Sequence, residues 1–291
     1  MGLPVAARAS VAHPLHLARH REGFGPGTTE IARIDDDDGA GIGLAVVKLS
    51  PGERLAAVAD VETAWLLMSG EVDVTTISRT ISRTAAHESL KARWSRRSLF
   101  DERPSCAHVC AGTELVLEAR TAVELTRYQT ASARAFEPAL RAAASVRDEH
   151  RGAGQVRGAC HRIVRTILDR QSTDPAAELV LGEVLTLPGR WSSYPPHHHA
   201  QPELYHYRFT HPDGYGHAEL GETVIKVRAN DTVKILAPDD HAQVAAPGYG
   251  MYYAWVIRHL PGAPYERPDF APEHRWVMEP GARTWWPEGV S

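Results

Sequence analysis

The chain has few cysteines, little net charge and no long apolar run, and each absence excludes a class of protein. Three cysteines in 291 residues are too few for a disulfide framework, and we expect them to be buried small side chains in a reducing compartment. A formal net charge of −4 argues against a general nucleic-acid binder. No apolar segment approaches the roughly 20 residues that span a bilayer, and none resembles a signal-peptide core. The sequence therefore predicts a soluble, cytoplasmic protein with neither nucleic-acid nor membrane partners.

Short β-prone runs separated by Gly, Pro, Asp or Asn occupy most of the chain, a spacing that is typical of antiparallel sandwiches and barrels. These runs are 43–49, 63–76, 114–118, 123–128, 179–187, 204–209, 223–227, 232–236 and 251–257. Helical periodicity is strong only around 136–146, where an Ala-rich sequence favours a short helix. We therefore predict an all-β protein with few short helices.

Two similar halves are indicated by length and by a weak internal echo. The length of 291 residues is about twice that of a usual domain. In each half a β run ends in Pro-Gly, at 51–52 and at 188–189, and a second β run follows about a dozen residues later. The charged, glycine-containing segment 147–154 is predicted to connect domains 1–146 and 147–291. The repeat TISRTISRT at 76–84 is predicted to be a hairpin extension with Ser and Arg facing water.

The strongest chemical signal is WSSYPPHHHAQPELYHYR at 191–208. Residues two apart on a strand share a face, so His197 and His199 aim two imidazoles at one point while His198 turns away. Glu203 follows Pro202, which favours a turn into a new strand and lets the carboxylate reach the same point. His241 arrives later, after another strand and turn.

Three imidazoles and one carboxylate form a donor set that suits one divalent ion, Zn²⁺ first and Mn²⁺, Fe²⁺ or Ni²⁺ as alternatives. With 16 histidines in the chain, clusters also arise by chance, and a three-His run is equally compatible with an exposed polar tract. The two prolines, the later carboxylate and the surrounding strands favour the metal site. The corresponding window of the first half, 51–65, contains no histidine, so we expect a metal-free N-terminal domain.

These same residues resemble the metal-binding motif of the cupin superfamily, a small double-stranded β-helix barrel. More narrowly, the second half resembles the 5-deoxy-glucuronate isomerase family of inositol catabolism, which is related to 4-deoxy-L-threo-5-hexosulose-uronate isomerase of pectin breakdown. The stretches that carry the resemblance are 191–199, 203–208, His241, 248–253 (GYGMYY), 151–158 and 274–277 (HRWV). The chain departs from the family pattern at Ala200, where Asp is usual. The resemblance implies two cupin-type barrels in one chain, with the metal ligands His197, His199, Glu203 and His241.

The function that the resemblance implies is metal-dependent aldose–ketose isomerisation of 5-deoxy-glucuronate to 5-dehydro-2-deoxy-gluconate, or of a related sugar acid. Such a reaction needs proton transfer between neighbouring carbons, for which Tyr205, Glu219 and Tyr194 are the candidates. Arg208 is the candidate for binding the substrate carboxylate, because a guanidinium meets a carboxylate through two hydrogen bonds. Opposite strand parity to Glu203 makes it equally compatible with facing away.

Two other functions remain open on the sequence. A cupin with the same metal is also suited to dioxygenase chemistry, and a non-catalytic cupin would bind a sugar acid without converting it. The aromatic C-terminal stretch 276–286, with adjacent Trp285 and Trp286, is predicted to pack against the other domain or a second subunit, which makes a homo-oligomer an expectation.

Overall fold

The computed structural model describes residues 13–78, 89–236 and 239–288. Within these ranges the chain forms 21 β-strands, and its helical content is three short 3₁₀ segments. The predicted all-β class is therefore confirmed. The 3₁₀ segments are Ala143–Ser145, Gln155–Gly158 and Pro272–Met278.

The strands of the first half are β1 His16–Leu17, β2 Gly27–Ala32, β3 Ile42–Leu49, β4 Arg54–Val58, β5 Glu62–Ile77, β6 Ser89–Arg96, β7 Cys106–Val109, β8 Glu114–Ala119, β9 Val123–Thr130 and β10 Ala139–Arg141. The strands of the second half are β11 Glu149–Arg151, β12 Arg162–Leu168, β13 Leu179–Thr186, β14 Trp191–His198, β15 Glu203–Phe209, β16 Tyr215–Leu220, β17 Thr223–Arg228, β18 Thr232–Ile235, β19 His241–Ala245, β20 Met251–Arg258 and β21 Asp269–Phe270. Each of the nine predicted β-prone runs coincides with a strand to within one or two residues at either end.

The long strand β5 joins the two layers of the first half. Its first part pairs with β7 and β9, and its second part, from Gly70 onward, pairs with β6 and β8. The bend falls at Gly70, which has φ +99°, and a Cβ atom there would lie 2.3 Å from the Ala122 carbonyl oxygen. Only glycine fits this position, because both the backbone angle and the close approach exclude a side chain.

The β5–β6 hairpin contains the start of the TISRTISRT repeat. The two strands pair antiparallel up to Ile77 and Ser89. Residues 79–88 lie outside the described residues, so the predicted orientation of the repeated Ser and Arg side chains stays a prediction.

The second half consists of two sheets that enclose a core and a cavity. The large sheet has the strand order β1-β18-β15-β20-β13-β12-β11, and the small sheet has the order β17-β16-β19-β14-β21. A buried apolar cluster that includes Tyr207, Ile225 and Val233 packs between them. Strand β1 belongs to the first half by sequence but pairs with β18. The division at residue 146 therefore stays a prediction.

The two halves pack against each other through a shared core. One buried cluster contains Leu44 and Leu66 from the first half together with Leu181 and Val256 from the second. Burying such side chains stabilises the folded state by about 1.5–3 kcal/mol each relative to leaving them exposed. The contact between the halves is therefore an extensive apolar one.

The helix predicted around 136–146 is wrong. Strand β10 and a single 3₁₀ turn occupy this segment, and β10 pairs antiparallel with β7. Pro138 removes a backbone donor, and the pairing with β7 satisfies the following residues better than a short isolated helix would. Tertiary pairing thus overrides the helix preference of the alanines.

The aromatic C-terminal tail lies largely on the surface. Trp285 is 85% exposed, and Arg157 lies over the Trp286 ring with 4.2 Å between the guanidinium carbon and the ring centroid. The predicted packing of this tail against another subunit stays a prediction. None of the helical segments in the described ranges has the length and apolar character that crossing a membrane requires.

Candidate metal centre

The two sheets of the second half bring the predicted histidines together at one end of the cavity. His197 on β14 lies directly opposite His241 on β19 in the antiparallel register, and their ring centroids are 4.4 Å apart. Glu203 is the first residue of β15, and His199 lies in the short connection between β14 and β15. His198 faces the other way and is bonded to Asp240 through Nδ1 at 2.7 Å, as strand alternation predicted.

Three of the four predicted ligands form a tight, buried group. The Nε2 atom of His199 is 3.2 Å from Oε2 of Glu203, and Nε2 of His241 is 3.5 Å from the same oxygen. One potential ligand atom from each residue lies within 4.8 Å of those of the other two. Ligand atoms that share a metal ion at about 2.1 Å are roughly 3–4 Å apart, so these separations fit a single ion.

The tautomers of two histidines are set by backbone carbonyl groups. Nδ1 of His199 donates to the Gln201 carbonyl oxygen at 2.8 Å, and Nδ1 of His197 donates to the Pro195 carbonyl oxygen at 3.2 Å. Because a carbonyl oxygen only accepts, each neutral ring carries its proton on Nδ1 and a lone pair on Nε2. This is the outer hydrogen bonding that orients metal-binding imidazoles.

His241 gives the most direct test of whether these residues fit a metal ion. Both of its ring nitrogens are buried, and neither has a hydrogen-bond partner among the described residues. A buried polar atom without a partner costs about 1–3 kcal/mol. Coordination of a divalent ion by Nε2 would remove this cost for one of the two nitrogens, so the donor set fits the ion.

The electrostatics favour the protonation states that metal binding needs at Glu203 and at His197. Burial raises the pKa of Glu203, but the neighbouring imidazoles of His199 and His241 outweigh it and bring the pKa to about 2. Burial, together with the neighbouring His241, lowers the pKa of His197 to about 3. Glu203 is therefore ionised and His197 neutral at pH 7, as ligands must be. The pKa of His199 is raised, because its bond to Glu203 outweighs burial.

A cavity of about 690 Å³ opens beside this group. Its size is within the range of small-molecule sites. One wall is the inner face of the large sheet, where alternate residues of β12, β13, β15 and β20 point inward. The residues of these strands that line it are Arg162, Val164, Thr166, Val180, Val184, Glu203, Tyr205, Trp255 and Ile257.

Tyr205 is the predicted catalytic residue that the structure places in this cavity. Its ring centroid lies 5.9 Å from that of His241, and its hydroxyl is 3.3 Å from the Ser193 hydroxyl. Burial, followed by the negative charge of Glu203, raises the pKa of Tyr205 well above its usual value. The phenol therefore keeps its proton at neutral pH.

The other two catalytic candidates, Tyr194 and Glu219, do not line the cavity. Glu219 pairs with Ala242 across β16 and β19, one residue out of phase with the inward-facing His241, and therefore lies on the outer face of the small sheet. Burial raises the pKa of Glu219. Tyr194 packs its ring against Trp191 and against His274, at centroid distances of 5.5 and 6.3 Å. Their predicted role in proton transfer is not supported by this placement.

Arg208 is placed outside the cavity as well, which corrects its predicted role as the carboxylate anchor. Its guanidinium donates to Glu124 of the first half at 2.7 Å, and lies over the Phe24 ring. The opposite parity to Glu203 sends the side chain to the outer face of the large sheet, where the first half packs. An anion in the cavity therefore has to be held by other residues.

Several cavity residues were not predicted from the sequence. Tyr265 packs its ring 4.9 Å from that of His199. Ser193 lines the cavity with φ +52°, a backbone conformation that non-glycine residues rarely adopt. Arg151 and Arg162 face each other across β11 and β12 and contribute positive charge. Ser193 and Arg151 lie in stretches that carry the family resemblance, but a role for any of the four could not be assigned, because their positions depend on strand register and on a loop that returns from β20.

Comparison with known proteins gives a consistent picture. The chain is 28% identical over 260 residues to the 5-deoxy-glucuronate isomerase of Geobacillus kaustophilus, covering 82% of this chain and 86% of that protein. It is 29% identical over 257 residues to the 5-deoxy-glucuronate isomerase of Geobacillus thermodenitrificans, with the same two shares.

Solved structures share the fold. An IolB-like protein of Salmonella typhimurium superposes with a TM-score of 0.75 at 22% identity, over 88% of this chain and 97% of that one. The oxalate decarboxylase of Lactobacillus farciminis superposes with a TM-score of 0.67 at 10% identity, over 93% and 92% of the two chains. The predicted cupin-type β fold is thereby confirmed. The model of the KduI/IolB family matches residues 16–277, and the chain belongs to that family.

Proposed function

We propose that this protein is a metal-dependent aldose–ketose isomerase that converts 5-deoxy-glucuronate, or a closely related sugar acid, to the corresponding 2-ketone. The observation that carries the proposal is the buried group His199, Glu203 and His241 at the end of a large cavity. The chain matches proteins named 5-deoxy-glucuronate isomerase over most of its own length and of theirs.

The metal ligands in this proposal are His197, His199, Glu203 and His241. His197 supports the group from the opposing strand register, with Nε2 left free by the bond of Nδ1 to a carbonyl oxygen. A borderline donor set of this kind holds Zn²⁺, with Mn²⁺, Fe²⁺ and Ni²⁺ as alternatives. When bound, such an ion polarises a substrate carbonyl and favours loss of a proton from the neighbouring carbon.

Tyr205 takes part in this proposal as a hydrogen-bond donor. Its raised pKa keeps the phenol protonated, so it is suited to stabilise a substrate oxygen on which negative charge develops. Ser193 contacts the hydroxyls of both Tyr205 and Tyr253, at 3.3 and 3.1 Å, and holds the phenol in place. The apolar walls Val164, Val184 and Trp255 exclude water from the reacting carbons.

The reaction redistributes two protons and consumes no redox cofactor. A proton leaves the hydroxyl-bearing carbon next to the aldehyde, and a proton is delivered to the former aldehyde carbon. The hydroxyl on the first of these carbons also loses its proton and the former aldehyde oxygen gains one, so the product is a ketone of the same composition. Exchange with solvent at the intermediate stage labels the product in D₂O.

The test is NMR of 5-deoxy-glucuronate with purified, metal-loaded protein in D₂O. The proposal predicts a ketone with deuterium at the former aldehyde carbon, and Glu203→Gln should lose both turnover and bound metal. Glu22→Gln, an exposed carboxylate outside the cavity, is the matched control and should keep both. Oxygen consumption without ketone formation would replace the proposal by a dioxygenase. Binding of the sugar acid with no conversion by the metal-loaded protein would replace it by a non-catalytic cupin.

A further inference from the structure

Arg162 is an arginine of the cavity with no ion-pair partner in the part of the chain that the structure describes. Its side chain lines the cavity and is half-buried, and Nη1 donates to the Cys160 carbonyl oxygen at 3.0 Å. Among the described residues no carboxylate lies within ion-pair distance of it. The neighbouring arginines differ, because Arg151 is paired with Glu149 at 2.7 Å and Arg165 with Asp148 at 2.7 Å.

The backbone around Arg162 holds the guanidinium in place. Gly152, in the β11–β12 connection, has φ +69° and lies so close that a Cβ atom there would be 2.8 Å from Nη1 of Arg162 and 2.3 Å from the Cys160 carbonyl oxygen. A side chain at 152 would therefore displace the guanidinium. A charged group that is fixed in this way is prepared for a ligand rather than free to move into solvent.

The other cationic groups of the cavity are less suited to hold an anion. Arg170 and Arg267 line it but are exposed, so water screens their charge. Burial lowers the pKa of Arg162, which shows that its charge is poorly solvated. An anionic ligand would offset that cost.

Arg162 lies away from the metal ligands on the sheet that lines the cavity. Glu203 lies on β15 and Arg162 on β12, with β20 and β13 between them. In the strand register Arg162 is opposite Thr186, Thr186 is opposite Met251, and Met251 is opposite Phe209, which is six residues from Glu203 along β15. An acid with one or two carbon atoms is too short to contact both places at once.

We infer that Arg162 binds the carboxylate of an open-chain sugar acid, away from the metal ligands in the same cavity. The inference rests on the proposed function for the orientation of the substrate, with its carbonyl end at the metal ligands. A guanidinium forms two parallel hydrogen bonds with a carboxylate, which fixes the orientation as well as the affinity.

A binding experiment tests the inference without relying on turnover. Calorimetry would measure the Kd of D-gluconate, of the neutral polyol D-glucitol and of acetate for zinc-loaded protein. Arg162→Met should raise the Kd of D-gluconate about 10-fold to 100-fold and leave that of D-glucitol unchanged, because only the acid uses the charge. Arg190→Met, an exposed arginine outside the cavity, is the matched control and should leave both unchanged. Acetate, which cannot contact Arg162 and the metal ligands at once, should bind the parent protein much more weakly than D-gluconate does.

A second pair of variants separates lost charge from lost structure. Arg162→Lys should recover part of the D-gluconate affinity, and Gly152→Ala should weaken it by displacing the intact guanidinium. An unchanged D-gluconate Kd in Arg162→Met, with zinc content and circular dichroism retained, would overturn the inference. Arg162-dependent binding without any isomerisation would leave the inference standing and remove the proposed function. Isomerisation with an unchanged KM in Arg162→Met would leave the proposed function standing and remove the inference.

Discussion

A buried ion pair between Arg96 and Glu183 is expected to hold the two halves of the chain together. Arg96 on β6 is 1% exposed and Glu183 on β13 is fully buried, and the two meet through a pair of hydrogen bonds of 2.6 and 2.9 Å. The Tyr252 hydroxyl donates to the same carboxylate at 2.7 Å. Burial alone would lower the pKa of Arg96, but pairing with Glu183 raises it above its usual value.

Replacing Glu183 by Gln removes the negative charge and leaves a buried guanidinium. Breaking one side of such a pair costs about 3–5 kcal/mol in the free energy of unfolding, because the remaining charge stays without compensation. Arg96 keeps its bond to the Leu67 carbonyl oxygen at 3.0 Å, which limits the loss to this range. The double variant Arg96→Met, Glu183→Gln should lose less than the sum of the two single variants, since no charge is then left unpaired.

Urea unfolding, followed by circular dichroism and by tryptophan fluorescence, measures these values. The exposed pair Arg93 and Asp73 provides the control, because Arg93→Met breaks a surface contact that water screens and should barely shift the transition. A Glu183→Gln midpoint equal to that of Arg93→Met would refute the reasoning. So would strictly additive effects in the double variant.

Two further predictions concern catalysis and acid stability. Tyr205→Phe should lower kcat about 100-fold with unchanged metal content, because the phenol donor is lost. Tyr249→Phe, outside the cavity, should leave kcat unchanged in steady-state kinetics. A kcat of Tyr205→Phe equal to that of the parent protein would exclude Tyr205 from the reaction. The pKa of Asp231 is lowered, because bonds from Arg21 and His16 outweigh burial. Its contribution to stability is thus present above the usual carboxyl pKa of about 4 and is lost as the pH falls through its lowered value. Unfolding measured from pH 7 to pH 3 should show a shallower loss in Asp231→Asn, and identical slopes would contradict this.

The strands and the shared face of His197 and His199 were predictable because they follow from local rules. Turn-forming residues at either end of β-prone runs place nine of the strands, and the alternation of side chains along a strand turns His197 and His199 toward one side while His198 faces away. The strands that start at Glu203 and His241 follow turn-forming residues that are visible in the sequence. These signals need no knowledge of distant contacts.

The features that could not be predicted depend on contacts between distant segments. The carboxylate anchor could not be assigned, because Arg208 is drawn outward by Glu124 of the other half and Arg162 is brought in by the register of β12. The outward position of Glu219 follows from its pairing with Ala242, which strand patterning alone does not determine. The helix predicted around 136–146 failed for the same reason, since β7 pairs with its residues.

Metal stoichiometry in matched histidine variants tests the central claim most directly. Protein equilibrated with Zn²⁺, Mn²⁺, Fe²⁺ or Ni²⁺ and then desalted should retain one ion per chain by mass spectrometry, with metal–nitrogen distances of about 2.0–2.1 Å for zinc in X-ray absorption. His241→Ala should lose the ion, and His198→Ala, whose ring faces away from the cavity, should keep it. Full occupancy in His241→Ala, or no retained ion in the parent protein with any of the four metals, would contradict the convergence of these residues on one cation.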